Sequence, residues 1–472
     1  MTILSRNSAS IACIVFLFLV TGTLPYLLPQ LHFFNAAEAG ELACVNYDEE
    51  ENTISVNCNA SFIDVVQTIN DPNIIENLGN GEYLLNANLQ VVDGVTFQMT
   101  SNADGLQYLK LAGENGIIVY GTILIDGVKI TSWNPSDEDV IQQDMNGTIP
   151  RGYVQFAASE GSQITNSEFG YIGYVEPGRR GFDLFGGGGP SHDMVIRGSK
   201  FHDMWMGFYS NAAYNITIDG SEYYENIKYS LDPHTLTHDM KITNNWIHNN
   251  PIGPICSDRC WDILIEGNLV QDTTNAAIFF SRNMTDSIAR NNHVVNARTG
   301  ILLSESPNNQ IYNNTIEGAT REGIGLINPE PADDGVTEGN LVYNNIISNS
   351  DTGIRVTRIQ NNIVENTTFS GIESREYRLL GGSTLTIRGQ HFDNVLISVA
   401  DSEGGAVVEV VDSGTIQVTQ GTSEDEEEGD EGNGDGGGEA QTYNTNNEPF
   451  RMTLSDGDSI TVTSATSPAG LA

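Results

Sequence analysis

The segment Tyr-Ser-Leu-Asp-Pro-His-Thr at residues 229–235 combines proton-transfer groups with a proline that fixes their geometry. Histidine titrates near neutral pH without special help, and Tyr229 offers a second proton-transfer group beside Asp232. Pro233 fixes its own φ and restricts Asp232 to extended geometry. Asp232 and His234 should then point to the same side. A tight corner would explain the proline, but not the histidine and the tyrosine.

A longer spacing pattern brings further polar residues to this segment. Residues at intervals of 23, 24, 24 and 23 are Asn211, His234, Asp258, Arg282 and Glu305. If one interval is one coil of a solenoid, these side chains form a column with about 4.8 Å between neighbours. Serines precede four of them as an adjacent ladder broken at Pro233: Ser210, Ser257, Ser281 and Ser304. Solvated surface residues are the commoner explanation for such a row, but this row alternates in charge and contains a histidine.

The charges around the histidine favour one reaction type. Asp232 and Asp258 could form the carboxylate pair of a hydrolase, but hydrolysis does not call for a histidine, a tyrosine and arginines beside them. Removal of the C5 proton of a uronic acid requires such groups, because the sugar carboxylate must be neutralised while a base acts on one face of the sugar. We expect His234 and Tyr229 to transfer protons. The expected carboxylate and substrate contacts are Arg259, Arg282, Lys228, Asn211 and Glu305.

The elements that must position these residues are short β-strands in a repeat. From about residue 160 to 372, segments such as TIDGSEY, KITNNWI and LIEGNLV recur mostly every 22–24 residues, separated by Asn, Gly and Asp. Such a period with β-runs and stacked asparagines predicts an all-β, right-handed parallel β-helix with one coil per repeat. Leucine-rich repeats have a similar period, but their leucine consensus is absent.

The ends of the repeat differ from its middle. Residues 40–100 should form an N-terminal cap and the first strands, with a helix N-capped by Ser61 and Asp64 three residues later. The parallel β-helix should occupy 101–372, followed at 373–420 by antiparallel strands that close the other end. Residues 421–447 form an acidic, Gly-rich run typical of a disordered linker. Residues 448–472 should add a last β-segment.

The composition excludes one class of partner. A formal charge of −41 argues against nucleic acid, because a phosphate-binding surface must be basic. Eleven of the 21 Lys and Arg residues fall between Arg151 and Arg298, and six of the eight histidines between His192 and His293. The least acidic part of the chain therefore coincides with the Asp-Pro-His segment. An anionic polysaccharide is the expected ligand, bound by a monomer.

The N-terminus indicates export. Residues 1–39 carry a basic residue, a long apolar run and a small-residue cleavage site, which is typical of a signal peptide. A retained membrane anchor is the alternative, and a membrane is expected as a partner only in that case. Six glycosylation sequons are compatible with a secreted or cell-surface glycoprotein: Asn59, Asn146, Asn215, Asn283, Asn313 and Asn366.

The cysteines fit an exported protein better than a metal protein. Cys44 and Cys58 should form a disulfide, and Cys256 and Cys260 are candidates for a second one. Without paired histidines at zinc spacing, we expect no metal site. No cofactor is expected.

The Asp-Pro-His segment resembles the signature of the mannuronan C5-epimerase family. Further similar motifs follow the family order: ITSWNP (130–135), RGYVQF (151–156), NSEFGYIGY (166–174), RRGFDLFGG (179–187) and THDMKITNNWIHNN, within about residues 75–290. The resemblance implies that His234 is a catalytic histidine and that Asp232 binds or orients the sugar carboxylate. It also implies that Tyr229 is the second acid/base, and that Asp258 matches a functional aspartate of the secreted members.

The chain departs from the family pattern at several places. Periplasmic members have a carboxylate-neutralising arginine where this chain has Asp258, so Arg259 or Arg282 would have to replace it. Ser230 stands where the family has glycine, and residues 182–185 depart from its usual Gly-Leu-Ser-aromatic pattern. The calcium-binding nonapeptides of the secreted branch are absent, so calcium dependence is possible but not implied.

These observations lead to one principal hypothesis and two alternatives. The protein is expected to be an exported C5-epimerase that converts a polyuronate of the mannuronate type to the guluronate type. A polyuronate lyase would use the same site, because loss of the 4-O substituent can replace reprotonation at C5. A glycan-binding surface protein without catalysis would also show an acidic tail, sequons and asparagine ladders.

Overall fold

The computed structural model describes residues 43–185, 189–329, 335–380, 382–389, 395–400, 406–411, 415–422, 441–444, 450–455 and 458–464. All of them belong to one compact unit. The predicted signal peptide and the acidic run at 423–440 lie outside the described residues. No helix in the described part of the chain has the length and apolar character needed to cross a bilayer.

The N-terminal third contains the helix α1 (Phe62–Ile69) and fifteen strands. These strands are β1 (Val45–Asp48), β2 (Thr53–Val56), β3 (Ala60–Ser61), β4 (Ile75–Gly79), β5 (Glu82–Leu85), β6 (Asn88–Val91), β7 (Thr96–Thr100), β8 (Tyr108–Ala112), β9 (Gly116–Val119), β10 (Thr122–Asp126), β11 (Lys129–Trp133), β12 (Tyr153–Phe156), β13 (Gln163–Thr165), β14 (Glu168–Gly170) and β15 (Gly181–Leu184).

The middle of the chain continues with short strands and two long ones. They are β16 (Val195–Arg197), β17 (Lys200–His202), β18 (Met206–Asn211), β19 (Tyr214–Asp219), β20 (Glu222–Tyr224), β21 (Tyr229–His234), β22 (His238–Thr243), β23 (Trp246–His248), β24 (Ile252–Ser257), β25 (Trp261–Glu266), β26 (Leu269–Ser281), β27 (Ile288–Arg290), β28 (His293–Ser304), β29 (Gln310–Tyr312), β30 (Thr315–Glu317) and β31 (Glu322–Ile327).

The C-terminal strands complete the described structure. They are β32 (Leu341–Tyr343), β33 (Ile346–Ser348), β34 (Thr352–Thr357), β35 (Asn362–Glu365), β36 (Thr368–Ser370), β37 (Arg375–Leu380), β38 (Thr384–Arg388), β39 (Val395–Ala400), β40 (Ala406–Val411), β41 (Thr415–Thr422), β42 (Gln441–Asn444), β43 (Phe450–Leu454) and β44 (Asp458–Ser464).

These strands form a solenoid with three parallel faces, which confirms the predicted β-helix. Face 1 contains β2, β6, β9, β12, β15, β18, β21, β24, the second halves of β26 and β28, β31, β34, β37 and β39. Face 2 contains β3, β7, β10, β13, β16, β19, β22, β25, β27, β29, β32, β35, β38 and β40. Face 3 contains β5, β8, β11, β14, β17, β20, β23, the first halves of β26 and β28, β30, β33 and β36. A coil passes from face 1 through face 2 to face 3.

The core is a set of side-chain columns inside the solenoid. In face 2, one inward position is filled in successive coils by paired residues that are almost fully buried: Ile125, Ile164, Ile196, Ile218, Ile242, Ile265, Ala289 and Ile311. In face 3, the rings of Phe169, Phe201 and Tyr223 stack with centroids 5.2 and 4.6 Å apart. Each coil contributes apolar area that only its neighbours cover, so the coils stabilise one another.

The N-terminal cap agrees with the sequence prediction. Ser61 is the N-cap of α1, its side chain accepts from the Asp64 N–H, and Asp64 accepts from the Ser61 N–H. Phe62 and Val65 are buried, and Phe62 packs edge-on against Tyr83. Cys44 and Cys58 form the predicted disulfide. A helix at this position covers a strand edge that would otherwise be open to pairing.

The C-terminal end differs in part from the expectation. Antiparallel strands are present: β43 pairs with β40, while β44 pairs with β39 and β41. However, β37 to β40 pair in parallel with the preceding coils, so the solenoid continues beyond residue 372. Tyr377 pairs with Ile397, a separation of 20 residues, whereas Ile354 pairs with Tyr377 at 23. The coil length changes there, which removes the sequence period without ending the fold.

Candidate active site

The predicted Tyr-Asp-His segment opens onto a cleft in face 1. The cleft has a volume of about 540 Å³, within the range of small-molecule sites. It is lined by Arg180, Met206, Tyr209, Lys228, Tyr229, Asp232, His234, Ile255, Ser257, Phe279, Ser281 and Arg282. Strands β18, β21, β24 and β26 therefore supply most of its walls. Apart from Arg180 and the Met206–Tyr209 wall, the lining residues come from 55 consecutive positions, because adjacent coils bring them together.

The predicted polar column is displaced by one residue. His234 pairs with Asn211 on one side, as expected, but with Ser257 on the other, and Ser257 continues to Ser281. Asp258 instead lies next to Thr235 of the preceding coil, and the Thr235 N–H donates to the carbonyl of Ser257. The register from β21 to β24 advances by 23 residues, and the register from β24 to β26 advances by 24. The sequence column had assumed 24 residues for both steps. The expected column of His234 with Asp258 was therefore wrong. Ser257 and Ser281 were also misplaced, because they continue the column of His234, whereas Ser210 pairs with Pro233 in the adjacent one.

His234 and Asp258 are connected through a threonine. Thr235 Oγ1 lies 2.6 Å from His234 Nδ1 and donates to Asp258 Oδ2 over 2.7 Å. Hydrogen bonds from Arg259 and Thr235 lower the pKa of Asp258, so this carboxylate is an acceptor only. Because the threonine proton is directed to Asp258, the threonine oxygen accepts from His234 Nδ1–H. This assignment of the tautomer leaves Nε2 with its lone pair.

The imidazole of His234 is held in its neutral form. Burial is the main cause that lowers its pKa, and the charges of Arg180, Arg282 and Lys228 act in the same direction. Asp258 opposes them. A neutral imidazole with a free Nε2 is ready to accept a proton.

Asp232 lies beneath the cleft in an unusual protonation state. It is 1% exposed, and burial raises its pKa to about 8 against the weaker opposite effects of Ser257, Lys228 and Arg180. Ser257 Oγ donates to Asp232 Oδ1 over 3.2 Å. At neutral pH the side chain is mostly the neutral acid, which can donate a hydrogen bond as well as accept one.

A second buried acid lies two coils away. Tyr209 pairs with Asp183 on one side and with Asp232 on the other. Burial raises the pKa of Asp183 to about 7, although the Arg180 N–H donates to its Oδ2 over 3.1 Å. The guanidinium of Arg180 lies 3.4 Å from the same oxygen and 4.0 Å from the Tyr209 ring centroid. Arg180 is thus held at the cleft wall by an acid and an aromatic face.

Tyr229 occupies the opposite end of β21 from His234. It is half-buried, and burial is the main cause that raises its pKa, with Asp232 adding to the effect and Arg282 opposing it. Lys228 Nζ lies 5.0 Å from the Tyr229 ring centroid and 5.7 Å from that of Trp205. The phenol is therefore protonated at neutral pH and able to donate.

The remaining predicted contacts separate into two groups. Lys228 and Arg282 line the cleft. Arg259 is exposed and makes a two-pronged ion pair with Asp258, with N–O distances of 2.8 and 3.0 Å. It is absent from the described lining, as are Asn211 and the buried Glu305. The cation that the sequence reasoning left unassigned is Arg180, and its signal was the Arg-Arg-Gly-Phe-Asp motif.

The second predicted disulfide does not form. Cys256 and Cys260 are both free and buried. Both belong to the hydrophobic core, and the Cys260 thiol is directed to the carbonyls of Ser257 and Pro233, at 3.4 and 3.7 Å. The pairing expected from their spacing was therefore wrong.

One group of described residues has metal-ligand character. Ligand atoms of Glu160, His192 and Asp193 lie within 4.8 Å of one another at the start of face 2, and none of the three lines the cleft. The His-Asp pair is repeated at His202–Asp203 and His238–Asp239, with Nδ1–carboxylate distances of 2.7–2.8 Å. Its recurrence marks a local turn feature. The expectation of no metal stays a prediction.

A comparison with protein families identifies the architecture. The model described as "Right handed beta helix region" matches residues 186–332 and 283–429, which together cover slightly more than half of the chain. The chain belongs to the right-handed β-helix family. This β-helix protein therefore has the handedness that the repeat predicted.

Sequence relatives of this β-helix protein confirm the resemblance drawn from its motifs. It is 27% identical over 243 residues to the mannuronan C5-epimerase of Pseudomonas putida, covering 47% of this chain and 45% of that protein. It is 26% identical over 264 residues to the mannuronan C5-epimerase AlgG of Azotobacter vinelandii, covering 52% and 49%. The chain thus spans about half the length of the curated relatives it matches.

Solved structures share the β-helix fold. A crystal structure of the periplasmic alginate epimerase AlgG superposes with a TM-score of 0.57 at 18% identity, covering 76% of this chain and 84% of that one. The A-module of the mannuronan C-5 epimerase AlgE4 of Azotobacter vinelandii gives a TM-score of 0.50 at 16% identity, covering 66% and 90%. At these identities the likeness concerns the fold.

Proposed function

We propose that this β-helix protein is an exported polyuronate C5-epimerase that converts mannuronate to guluronate residues within a polymer. The observation that carries the proposal is the convergence of His234, Tyr229 and a neutral Asp232 in one cleft with three cations. The similarity to mannuronan C5-epimerases supports the same reaction. No cofactor takes part in the proposed steps.

The first task is to neutralise the sugar carboxylate. Arg180, Lys228 and Arg282 surround the cleft with positive charge, and Asp232 in its neutral form donates a hydrogen bond without adding negative charge. These contacts make the C5 proton more acidic, because the charge that forms when it leaves is delocalised onto the carboxylate. In this scheme Arg180 and Arg282 neutralise the carboxylate, the role that the sequence predicted for Arg259 or Arg282.

The second task is to move one proton off C5 and another onto it. His234 Nε2 takes the C5 proton, and the electron pair of the broken C–H bond is delocalised onto the carboxylate. The Tyr229 hydroxyl then gives its proton to C5 from the opposite face, which forms the new C–H bond with inverted configuration. Solvent afterwards removes the proton from His234 and returns one to Tyr229. Thr235 and Asp258 orient the base.

The proposal includes the location and the ligand. An exported protein is supported by the sequons, by the disulfide between Cys44 and Cys58, and by the similarity to a periplasmic epimerase. The ligand is an anionic polysaccharide, bound by a monomer.

The test is proton NMR of polymannuronate incubated with the full chain in D₂O. Deuterium at C5 together with guluronate signals is expected. His234→Ala should lower the rate about 10³-fold, since general base catalysis contributes about 10²–10⁴-fold. The exposed His293 in face 3 offers a matched control, and His293→Ala should react like the wild type. Unsaturated sugar ends would show a lyase, and the absence of any C5 exchange would contradict both enzymes.

A further inference from the structure

A second cleft, of about 640 Å³, lies at the corner between face 3 and face 1. Arg298, Arg321, Thr273 and Thr320 are among the residues that line it. It involves the coils that follow the catalytic cleft, since Arg298 directly precedes the face 1 half of β28 and Arg321 directly precedes β31. The cleft therefore adjoins the catalytic one along the solenoid axis.

The two arginines continue a row that begins in the catalytic cleft. Lys228 precedes β21 as Arg298 and Arg321 precede their strand segments, and the intervening coils place Pro251 and Asn275 at this position. The Arg321 N–H donates to the carbonyl of Arg298. At about 4.8 Å per coil, Arg298 lies about 14 Å and Arg321 about 19 Å from Lys228 along the axis.

A buried acid fixes the orientation of Arg321. Glu322 is 1% exposed, and its Oε2 lies 3.1 Å from Arg321 Nε, while Thr299 Oγ1 donates to Oε1 over 2.9 Å. This ion pair already orders the guanidinium of Arg321. The side chain therefore loses less conformational entropy when a ligand binds. Arg321 lines the cleft, and its side chain is 41% exposed.

The cleft also contains an unused hydrogen-bonding group. Thr273 is 4% exposed, and its hydroxyl has no hydrogen-bond partner among the described residues. Buried hydroxyls are normally paired, so one that lines a cleft points to a polar ligand.

Face 1 carries half-buried apolar side chains in the coils that contain the second cleft. Phe279 lines the catalytic cleft and pairs with Leu302, which pairs with Gly325 in the next coil. A Cβ at Gly325 would lie 2.8 Å from the Leu302 side chain, so a larger residue would disturb this surface. The half-buried Phe279 and Leu302 can therefore contact the apolar faces of sugar rings.

We propose that the second cleft binds carboxylates of the same polyuronate chain, on one side of the reacting sugar and several sugar residues away from it. Each sugar of an extended chain advances by a length comparable to one coil, so a uronate three to four residues along would reach Arg298 and Arg321. This inference rests on the proposed function for the identity of the polymer. It makes the enzyme dependent on chain length.

The test measures binding of oligouronates of increasing length by isothermal titration, which does not depend on turnover. The probes are oligomers of mannuronate, guluronate and galacturonate, from about three to about ten residues. Arg298→Gln with Arg321→Gln should weaken binding of the long oligomers by about tenfold, as expected for two partly exposed ion pairs. Binding of the trimers should change less than twofold.

The matched control removes the same charge elsewhere. Arg197 and Lys241 are exposed on face 2, and Arg197→Gln with Lys241→Gln lowers the net charge equally. This double variant should bind long oligomers like the wild type. Long oligomers must also bind the wild type more tightly than trimers.

The outcomes separate the inference from the proposed function. If the wild type binds long oligouronates but does not exchange C5 protons, the proposed function is wrong, and the arginine variants still decide the inference. If the Arg298/Arg321 variant binds long oligomers as tightly as the wild type, or loses trimer binding to the same degree, the inference is wrong. If the wild type binds none of the three polymers, both are wrong.

Discussion

The protonation of Asp232 follows from a competition between burial and nearby cations. Lys228 and Arg180 favour the carboxylate, but the loss of hydration outweighs them and raises the pKa to about 8. Asp183, on the other side of Tyr209, acts in the same direction. A neutral acid beside a sugar carboxylate adds a hydrogen-bond donor where an ionised one would repel. The chemistry therefore depends on Asp232 remaining protonated.

Asp232→Asn should change the pH dependence of activity. We expect wild-type kcat/KM to fall as the pH rises through about 8, because Asp232 then becomes charged. The amide keeps a donor without ionising, so the variant should lose about three- to tenfold at pH 7 and retain that level at pH 9. Asp286→Asn, an exposed position in the turn before β27, is the control. A wild-type profile that stays flat to pH 9 would contradict this role.

The same substitution should change the pH dependence of stability. The folded protein binds the Asp232 proton more tightly than the unfolded chain, whose pKa is near the ordinary 3.8. The wild-type free energy of unfolding therefore falls as the pH rises from about 4 to about 8. The Asn side chain does not titrate. The free energy of unfolding of Asp232→Asn minus that of the wild type should therefore be larger at pH 9 than at pH 5 by at least about 1 kcal/mol, since one pKa unit is worth about 1.4 kcal/mol. Urea unfolding at both pH values measures the difference.

Thr235→Val should separate orientation of the base from substrate binding. Valine keeps the β-branched shape but removes the hydroxyl that links His234 to Asp258. We expect kcat to fall about 10- to 100-fold with little change in KM, and Thr235→Ser to restore most of it. Thr243→Val is a matched control, because it removes a Thr–Asp hydrogen bond on face 2. An equal loss in both variants, or a loss confined to KM, would argue against the relay.

At the scale of elements, a buried amide ladder holds successive coils in register. Side chains at the corner between face 2 and face 3 occupy one position in each coil: Ser199, Ser221, Asn245, Asn268, Asn292, Asn314 and Asn345. The Asn245 N–H donates to Asn268 Oδ1 over 2.9 Å, and Asn268 Nδ2 donates to the carbonyl of Ile242. Each amide thus satisfies turn groups that strand pairing leaves unpaired.

Asn268→Ala should destabilise the protein by about 2–4 kcal/mol, because several buried hydrogen-bonding groups lose their partner. Asn268→Ser should cost less, since serine accepts the equivalent bond in earlier coils, where Ser199 N–H donates to Ser221 Oγ. The exposed Asn275 provides the control, and Asn275→Ala should stay within about 0.5 kcal/mol. The midpoint of urea unfolding measures all three. Equal midpoints for Asn268→Ala and Asn275→Ala would show that the ladder contributes nothing.

The sequence predicts these elements better than their register. The 22–24-residue period and the turn asparagines suffice for the β-helix, because each coil must return the chain to the same three faces. The period does not reveal where a coil takes up an extra residue, and a shift by one position changes which side chains share a column. The sequence therefore predicts Asp258 in the column of His234, although in the structure Asp258 lies next to Thr235 of the preceding coil. Arg180 was missed because the coils before β18 are irregular, with a bulge between Gly181 and Asp183.

At the scale of the whole molecule, the net charge opposes the proposed ligand, whereas the cations of the two clefts attract it. The chain has a net charge of −41, yet three cations line the catalytic cleft and two more line the second. A polyanion is repelled over long distances and attracted over short ones. These two effects have different ranges, so salt screens them at different concentrations.

The rate of reaction with polymannuronate should therefore pass through a maximum as salt increases. At about 0.01 M the Debye length is about 30 Å, so the acidic body repels the approaching polymer. At about 0.1–0.2 M it is about 8–10 Å, which removes most of that repulsion but preserves ion pairs in the clefts. We expect kcat/KM to rise several-fold to this range and to fall towards 1 M. Arg298→Gln with Arg321→Gln should lower the maximum value of kcat/KM but keep its rise at low salt. The rise comes from screening of the net charge of the whole protein, whereas the maximum value depends on the cations in the clefts. A rate that falls steadily from the lowest salt would mean that the local cations dominate at every distance.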